Sequence, residues 1–310
     1  MAKTALYAQH TPGGVFTIQD MQSHPREVWF VDSGHAQAVN DAGHGKSPDA
    51  PFATLAYAFS SDLMGSGDVC YVMPGHAETV AAAQGIVMDI AGVKVIGLGW
   101  GSKRPTFTGT TGATVTIEIN AVSLWLENLL FVAAFTNGIT QFIDVKTGSN
   151  DLMFKNCEWR EDLNTQEFLK GVTIEATISR VTFDGCKFTG IVGGDSLSAI
   201  FCEGACSYLR VINCTFIGDW LDAVIDTDAG LILLPEFGHL MIRNADPTNG
   251  FAILIDATTI GSFYDCHLLT QKANTVPVSV VTASFFSEVY GTDVAATNAI
   301  VLPAAATAWS

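Results

Sequence analysis

One ten-residue phrase occurs four times along the chain, and it limits the possible folds more than any other feature. Each copy has alternating apolar residues, a small or polar residue, a cysteine, a variable residue and a large apolar residue. The copies are LMFKNCEWRE from Leu152, VTFDGCKFTG from Val181, LRVINCTFIG from Leu209 and GSFYDCHLLT from Gly261. The first three cysteines are 29 and 28 residues apart, and the fourth follows after 52. A fixed period predicts supersecondary units that bury their apolar faces by stacking on one another.

The segments between the copies have the character of strands. Short runs rich in Val, Ile, Thr and Phe alternate with turns that contain Gly, Asn and Asp. Two or three strands in each period of about 28 residues predict one turn of a three-faced coil. We therefore predict an all-β fold, a single-stranded right-handed parallel β-helix with about eight coils between residues 70 and 302. An antiparallel sandwich explains the strand content but not the recurring phrase.

The recurring cysteines are predicted to form a ladder inside this coil. Equivalent side chains of stacked parallel strands point the same way with nearly parallel Cα–Cβ bonds, which suits a disulfide poorly. We therefore expect reduced, buried thiols, accompanied by corner asparagines that form hydrogen bonds along the coil axis. The predicted structural ladder comprises Cys157, Cys186, Cys214, Cys266, Asn128, Asn156 and Asn213. Two further cysteines, Cys202 and Cys206, lack a second Cys or His pair at ligand spacing, so no zinc site is assigned to them.

The chain divides into three parts. Residues 1–26 are turn-rich and predict an N-terminal arm, residues 27–302 form the β-helix domain, and residues 303–310 form a C-terminal tail. Within the domain, residues 51–60 predict a short amphipathic helix, because Pro51 suits a first helical turn and apolar residues follow at spacings of three and four. A solenoid needs such a cap to cover its open end.

Composition excludes several classes of partner. The 31 acidic residues outnumber the 15 basic ones and give a net charge of −16, whereas nucleic acids and anionic membranes require a basic face. The first residues lack the apolar region of a secretory signal, and no apolar run is long enough to span a bilayer. We expect a protein that stays in the cytosol in which it is made until another component moves it.

Catalysis is the main alternative function for such a coil. A polysaccharide-cleaving enzyme needs paired carboxylates, or acidic residues that hold Ca²⁺ beside a basic residue. Weak candidates for these roles are Asp195, Glu203, Asp219 and Asp222. A protein this acidic also places carboxylates on its turns for structural reasons, so no catalytic residue is assigned.

Histidine and tryptophan give two further hypotheses. His35, His44 and His76 together could form a metal site, although histidines in glycine-rich loops are more often solvated, and neither a metal nor a cofactor is assigned. The six tryptophans could form a sugar-stacking platform if several face outward, whereas core or interface positions are more common. These tryptophans are Trp29, Trp100, Trp125, Trp159, Trp220 and Trp309.

The opening of the domain resembles that of a known group of proteins. Residues 28–80 contain VWFVD, a Gly/Asp/Asn-rich loop, PFATLAYAFS and then GDVCYVMPGHAETV. This order is similar to the start of right-handed parallel β-helix, or pectate-lyase-like, proteins, which are frequent among tailed-bacteriophage virion components and carbohydrate-active enzymes. A shared fold does not choose between these functions.

The resemblance implies several properties that we state as expectations. We expect a non-enzymatic virion structural protein, a capsid decoration or cement protein that stabilises the head and is assembled in the bacterial cytoplasm. Its implied partner is the major capsid protein or another virion protein, with no direct contact to nucleic acid or membrane, and its implied oligomer is a homotrimer. The alternatives are a phage tail fibre or spike, or a polysaccharide lyase or glycoside hydrolase. Tailspikes of this type are usually longer and have attachment and trimerisation regions that are not obvious here.

Overall fold

A computed structural model describes residues 26–227, 229–248, 250–256, 259–271, 278, 285–292 and 300–301. Within these ranges there are 26 strands, one α-helix, α1 (Leu55–Ser60), and a 3-10 turn at Gly101–Lys103. The strands are β1 Val28–Val31, β2 Val69–Val72, β3 Ala77–Val80, β4 Ile86–Met88, β5 Lys94–Gly97, β6 Thr106–Gly109, β7 Ile117–Ile119, β8 Trp125–Glu127, β9 Leu130–Ala133, β10 Ile143–Val145, β11 Leu152–Lys155, β12 Glu158–Glu161, β13 Lys170–Ile174, β14 Val181–Asp184, β15 Lys187–Thr189, β16 Ser198–Cys202, β17 Cys206–Ser207, β18 Arg210–Ile212, β19 Thr215–Gly218, β20 Ala223–Thr227, β21 Ile232–Gly238, β22 Met241–Asn244, β23 Phe251–Ile255, β24 Ile260–Thr270, β25 Phe285–Thr292 and β26 Ile300–Val301.

The strands form three parallel stacks. The first stack contains β1, β2, β5, β8, β11, β14, β18, β21 and the first halves of β24 and β25. The second contains β3, β6, β9, β12, β15, β19, β22 and the second halves of β24 and β25. The third contains the seven strands β4, β7, β10, β13, β16, β20 and β23. The chain is therefore a right-handed parallel β-helix, as predicted, but with about seven turns instead of the predicted eight, and parallel pairing excludes the sandwich.

The coils differ in length around the predicted period. Paired positions of the first stack are separated by 31 residues between Lys94 and Trp125, but by 23 between Ser262 and Phe285. The stacks keep their register because the extra residues lie in the loops between strands. At the far end, β26 pairs antiparallel with β25 and so does not add a further parallel coil.

Large aromatic side chains fill the interior. Inward positions alternate with outward ones along each strand, so equivalent rings of neighbouring coils lie over one another where both coils have an aromatic residue. Trp159 stacks on Phe188 with ring centroids 4.3 Å apart, and Phe188 stacks on Phe216 at 4.8 Å. A second column stacks Phe154 on Phe183, also at 4.8 Å. These distances are close to the spacing between strands, so the backbone register sets the aromatic packing.

The recurring cysteines lie in one column at the corner between the first and second stacks, which we call the thiol corner. Cys157, Cys186, Cys214 and Cys266 are at most 1% exposed. Each Sγ donates a hydrogen bond to a backbone carbonyl of the preceding coil, at 3.3 to 3.6 Å. Burial raises the pKa of Cys157 to about 12 and that of Cys266 to about 11. Leu240 occupies the same buried position in the coil between Cys214 and Cys266.

One left-handed residue precedes each rung of the thiol corner. The residues in this conformation are Asn128, Asn156, Gly185, Asn213, His239, Asp265 and Glu288, with φ between 47° and 66°. Asparagine, aspartate and glycine tolerate this conformation best, which explains the polar residue before the cysteine. Asn213 Nδ2 also donates to Asp184 Oδ1 of the preceding coil at 2.8 Å, a bond along the coil axis.

The capping helix is shorter than the sequence suggests. Residues 51–60 were the predicted helix, but α1 begins at Leu55 because the Thr54 hydroxyl caps it, accepting from the Tyr57 amide. Phe52 instead continues the strand layer, with its amide donating to the Phe30 carbonyl at 2.9 Å. The helix still lies over the open end of the coil, since Leu55 and Phe59 are buried in the core.

A buried carboxylate fastens this helix to the coil. Glu78 points inward from β3 and accepts hydrogen bonds from the amides of Leu55 and Ala56 at 2.6 and 3.1 Å. His76 Nε2 lies 3.1 Å from Glu78 Oε2, and His76 Nδ1 accepts from the Ser33 amide at 2.9 Å. His76 therefore belongs to the cap, and the structure does not bring it together with His35 and His44, which contact Gln37 and Asp41.

The predicted arm (residues 1–26, apart from Arg26) and tail (residues 303–310, with Trp309) lie outside the described residues. In the described part of the chain, no helix has the length and apolarity needed to cross a membrane.

Candidate functional site

An open groove with a volume of about 580 Å³ lies on the outer face of the second stack. Its floor is formed by the outward side chains of β6, β9 and β12, and one wall is formed by the loop at residues 98–105, which is longer than the two-residue connections of the following coils. We call it the arginine groove. It is lined by Gly101, Ser102, Arg104, Thr106, Thr108, Leu130, Val132, Glu158, Arg160 and Asp162.

Two guanidinium groups flank one carboxylate in the arginine groove. Arg104 Nη1 lies 2.9 Å from Glu158 Oε2, and Arg160 Nη2 lies 2.8 Å from Glu158 Oε1. Lys187, the neighbour of Glu158 in register on β15, has its Nζ at 3.9 Å from Glu158 Oε1. These three cations outnumber the two carboxylates of the groove, Glu158 and Asp162, on a chain whose net charge is −16. The side chain of Arg160 is 41% exposed and has N–H groups available to an anionic ligand.

One exposed tryptophan lies beside the arginine groove. Trp100, directly before the Gly101–Lys103 turn, is 87% exposed. Trp125 is half-buried between Lys94 and Lys155, while Trp29, Trp159 and Trp220 belong to the core. The described tryptophans therefore do not form a platform, although Trp100 can stack on a planar or sugar ring.

The opposite end of the second stack is built from polar groups, and we call it the carboxylate corner. Glu161 points inward from β12 and is 6% exposed. Its Oε1 accepts from the Phe168 amide at 3.0 Å and from the Ser196 hydroxyl at 2.9 Å, and its Oε2 accepts from the Ile191 amide at 3.3 Å. Burial raises the pKa of Glu161 to about 7.

Other polar side chains in the carboxylate corner have the same role. Glu167 accepts from the Asp195 amide at 2.6 Å, and Asp219 accepts from the Gly193 amide at 2.7 Å. Burial raises the pKa of both carboxyls. Asn244 accepts from the Trp220 amide at 3.0 Å. These residues satisfy loop amides, because the connections between the second and third stacks are four to nine residues long and their amides have few strand partners.

The four weak catalytic candidates do not form one group, although Asp195 and Asp219 are neighbours: burial, and to a smaller extent the charges of Asp246 and Asp195, raise the pKa of Asp219. Asp219 is 5% exposed and binds the Gly193 amide, whereas Asp195 and Asp222 are exposed on neighbouring loops. Glu203 follows β16 and Asp195 precedes it, so the five-residue strand places them roughly 16 Å or more apart. In the described part of the chain, no group of three His, Cys, Asp or Glu residues has the arrangement to hold a metal ion.

Exposed apolar side chains gather on the later coils, at the corner between the third and first stacks. We call Tyr208, Leu233, Leu234 and Ile260 the apolar corner; these residues are 47% to 53% exposed. These residues lie next to one another on neighbouring coils, because Ser207 pairs with Leu233 and Leu233 pairs with Ile260. The Tyr208 amide donates to the Leu233 carbonyl at 2.8 Å.

The backbone makes the apolar corner unusual. Tyr208 and Leu234 are left-handed, with φ of 57° and 52°, and the equivalent left-handed residues in earlier coils are Ser123, Asp151 and Arg180. A leucine in this conformation costs about 1–2 kcal/mol relative to the right-handed region. Neither the turn nor solvent exposure favours leucine at residue 234.

Sequence reasoning missed Arg104 and the inward positions of Glu78 and Glu161. The inward position of Glu161 could have been predicted from the segment EWRE (residues 158–161). Side chains alternate between the two faces of a strand, so Glu161 faces inward if Trp159 does. No pattern signalled Arg104, which reaches Glu158 across 54 residues.

No known protein-family model matches the chain, and no curated protein sequence matches it. A solved structure named as a rhamnogalacturonan lyase is similar, with a TM-score of 0.45 and 14% sequence identity over 84% of this chain and 87% of that one. A similarity at this level does not transfer activity or substrate to the chain.

Proposed function

We propose that this chain is a non-enzymatic structural protein of a bacteriophage particle that decorates the head and stabilises its shell. The observation that carries the proposal is the apolar corner, where an exposed leucine occupies a left-handed position that suits a polar residue. The resemblance of residues 28–80 to pectate-lyase-like proteins, which are frequent among tailed-phage virion components, supports the choice of a phage particle.

The proposed occupant of the apolar corner is the major capsid protein. A chain with a net charge of −16 suits a partner with a neutral or basic surface, and a shell protein of that kind is the partner that we propose. The resemblance also implies a homotrimer, whose subunit contacts then lie elsewhere. Sedimentation equilibrium of the purified chain tests that stoichiometry.

Leu234→Asn tests the docking role, because it separates docking from folding. Asparagine suits the left-handed backbone, so we expect the midpoint of urea unfolding to be unchanged or higher. We also expect binding to shells that lack the protein to weaken roughly tenfold, because half-exposed leucine surface no longer becomes buried. Ser123→Asn, at the equivalent corner of an earlier coil, is the matched control and keeps full binding. Wild-type protein that fails to bind shells, or Leu234→Asn that binds equally well, contradicts the proposal.

A second candidate function rests on the arginine groove. A tail fibre or spike that binds an anionic polysaccharide would place sugar carboxylates beside Arg160 and a sugar ring on Trp100. Affinity electrophoresis in gels that contain a carboxylated polysaccharide tests it. We expect retardation that Arg160→Ala and added salt both reduce, while Arg180→Ala, on another corner, has no effect. Falling viscosity of the polysaccharide would identify an enzyme, and no retardation would remove this candidate.

A further inference from the structure

Two cysteines outside the thiol corner lie close together at a tight turn. Cys202 ends β16 and Cys206 begins β17, and their Sγ atoms are 3.8 Å apart. Both are free and buried, with Cys206 6% exposed and Cys202 fully covered. The proposed function does not involve either of them.

The turn that joins these cysteines is fixed on both sides. From the preceding coil, the Ala205 carbonyl accepts from the Thr177 amide at 2.7 Å, and the Glu203 amide donates to the Ile174 carbonyl at 2.8 Å. From the following coil, the Leu231 carbonyl accepts from the Cys206 amide at 3.2 Å. The stacked backbone thus holds the turn, and with it the two sulfurs, next to each other.

We propose that Cys202 and Cys206 form a peroxide-reactive dithiol that closes to a disulfide across this turn. The Cys206 thiolate attacks one oxygen of the peroxide, the O–O bond breaks and hydroxide leaves, so Cys206 becomes a sulfenic acid. The Cys202 thiol then attacks the Cys206 sulfur, the S–O bond breaks and water leaves as the disulfide forms. Two thiols and one hydrogen peroxide therefore give one disulfide and two waters.

Cys206 is the attacking residue, because it is the more exposed of the two and because the hydrogen bond between the two thiols lowers its pKa. The pKa of Cys202 is raised, by this same hydrogen bond and by burial, so Cys202 keeps its proton until the second step. The thiol corner provides the contrast. Its cysteines donate to backbone carbonyls, and one strand spacing with nearly parallel Cα–Cβ bonds separates neighbouring rungs.

Trypsin separates the two sets of thiols. Cleavage after Lys187 and Arg210 gives a peptide of residues 188–210 that contains Cys202 and Cys206 and no other cysteine, whereas Cys186 lies in residues 181–187. Native protein is treated with hydrogen peroxide, denatured, alkylated with N-ethylmaleimide and mapped by mass spectrometry.

We expect peptide 188–210 to lose two hydrogens in mass and to become resistant to alkylation at both cysteines. This change should be at least about tenfold faster than oxidation of the peptides that contain Cys157, Cys186 and Cys214. Dithiothreitol should restore both sites. Peptide 188–210 that stays fully alkylated while the thiol corner oxidises would overturn the proposal, as would sulfinic acid on Cys206 without the disulfide.

Two variants test which cysteine attacks the peroxide first. The peptide mapping of the wild-type protein remains a test of the disulfide even if neither variant folds. In Cys202→Ser we expect a sulfenic acid on Cys206 that dimedone traps. In Cys206→Ser we expect Cys202 to remain reduced under the same treatment. Equal oxidation of Cys202 in Cys206→Ser would refute Cys206 as the attacking thiol.

Discussion

The thiol corner and the carboxylate corner lie at the two ends of the same strands, yet their chemistry is opposite. At the thiol corner the connections are mostly two residues long, and one left-handed residue turns the chain. The backbone there finds partners in neighbouring coils, so the inward position needs only a small apolar side chain. At the carboxylate corner the connections are longer, and loop amides need side-chain acceptors such as Glu161. Loop length therefore decides whether a buried position is apolar or charged.

Removal of the Glu161 carboxylate should have the largest effect on stability. Glu161→Ala leaves the Phe168 and Ile191 amides and the Ser196 hydroxyl without their acceptor, and we expect a loss of roughly 3–5 kcal/mol in the free energy of unfolding. Glu161→Gln keeps one acceptor oxygen and should lose less. Urea unfolding followed by tryptophan fluorescence measures both. Equal losses in the two variants would mean that hydrogen bonding does not explain this corner.

The same residue predicts a pH dependence. The pKa of Glu161 is raised to about 7 by burial, above its value in the unfolded chain. Its contribution to stability is therefore fully present below about pH 4.5 and is lost as the pH rises through 7, by up to about 3 kcal/mol. We expect the urea midpoint of the wild type to fall between pH 5 and 8 relative to that of Glu161→Gln. Parallel pH profiles of the two proteins would contradict the assignment.

At the thiol corner we expect the left-handed backbone conformation to affect stability more than the identity of the side chain at that position. Asn156→Ala places a Cβ-bearing residue without polar compensation at φ of 51°, and we expect a loss of about 1–2 kcal/mol. Asn156→Gly should lose only a few tenths of a kcal/mol, since glycine adopts this conformation freely. Thermal unfolding of the two variants measures the difference. A glycine variant as unstable as the alanine variant would show that the Asn156 side chain, and not the turn, is what the corner requires.

A single rung of the thiol corner should have the smallest effect. Cys186→Ala removes one buried sulfur from a column that packs on both sides, and we expect a loss of about 1 kcal/mol, without a change in pH dependence. The urea midpoint at pH 5 and pH 8 checks both statements. If Cys186→Ala lost as much unfolding free energy as Glu161→Ala, the proposed difference between the two corners would be wrong.

The sequence was informative wherever a local period sets the structure. The spacing of Cys157, Cys186 and Cys214 predicted the parallel coil, and the residue before each cysteine predicted the corner. Helix α1 was predicted in position but began four residues late, because Thr54 capped it and Phe52 joined the strand layer. The arginine groove was not predicted, since Arg104 meets Glu158 only after the chain has wound through two further coils.

By itself the sequence determined the stack, because a period of about 28 residues forces equivalent positions to superpose and their side chains to form columns. Only the tertiary structure decided which columns of side chains find hydrogen-bond or packing partners within the coil and which face outward. Whether a carboxylate such as Glu161 supports a loop, or a leucine such as Leu234 is left exposed, depends on the lengths and paths of loops that carry no repeat. The repeat therefore fixes the fold through local backbone geometry, whereas the candidate sites depend on contacts between residues distant in sequence.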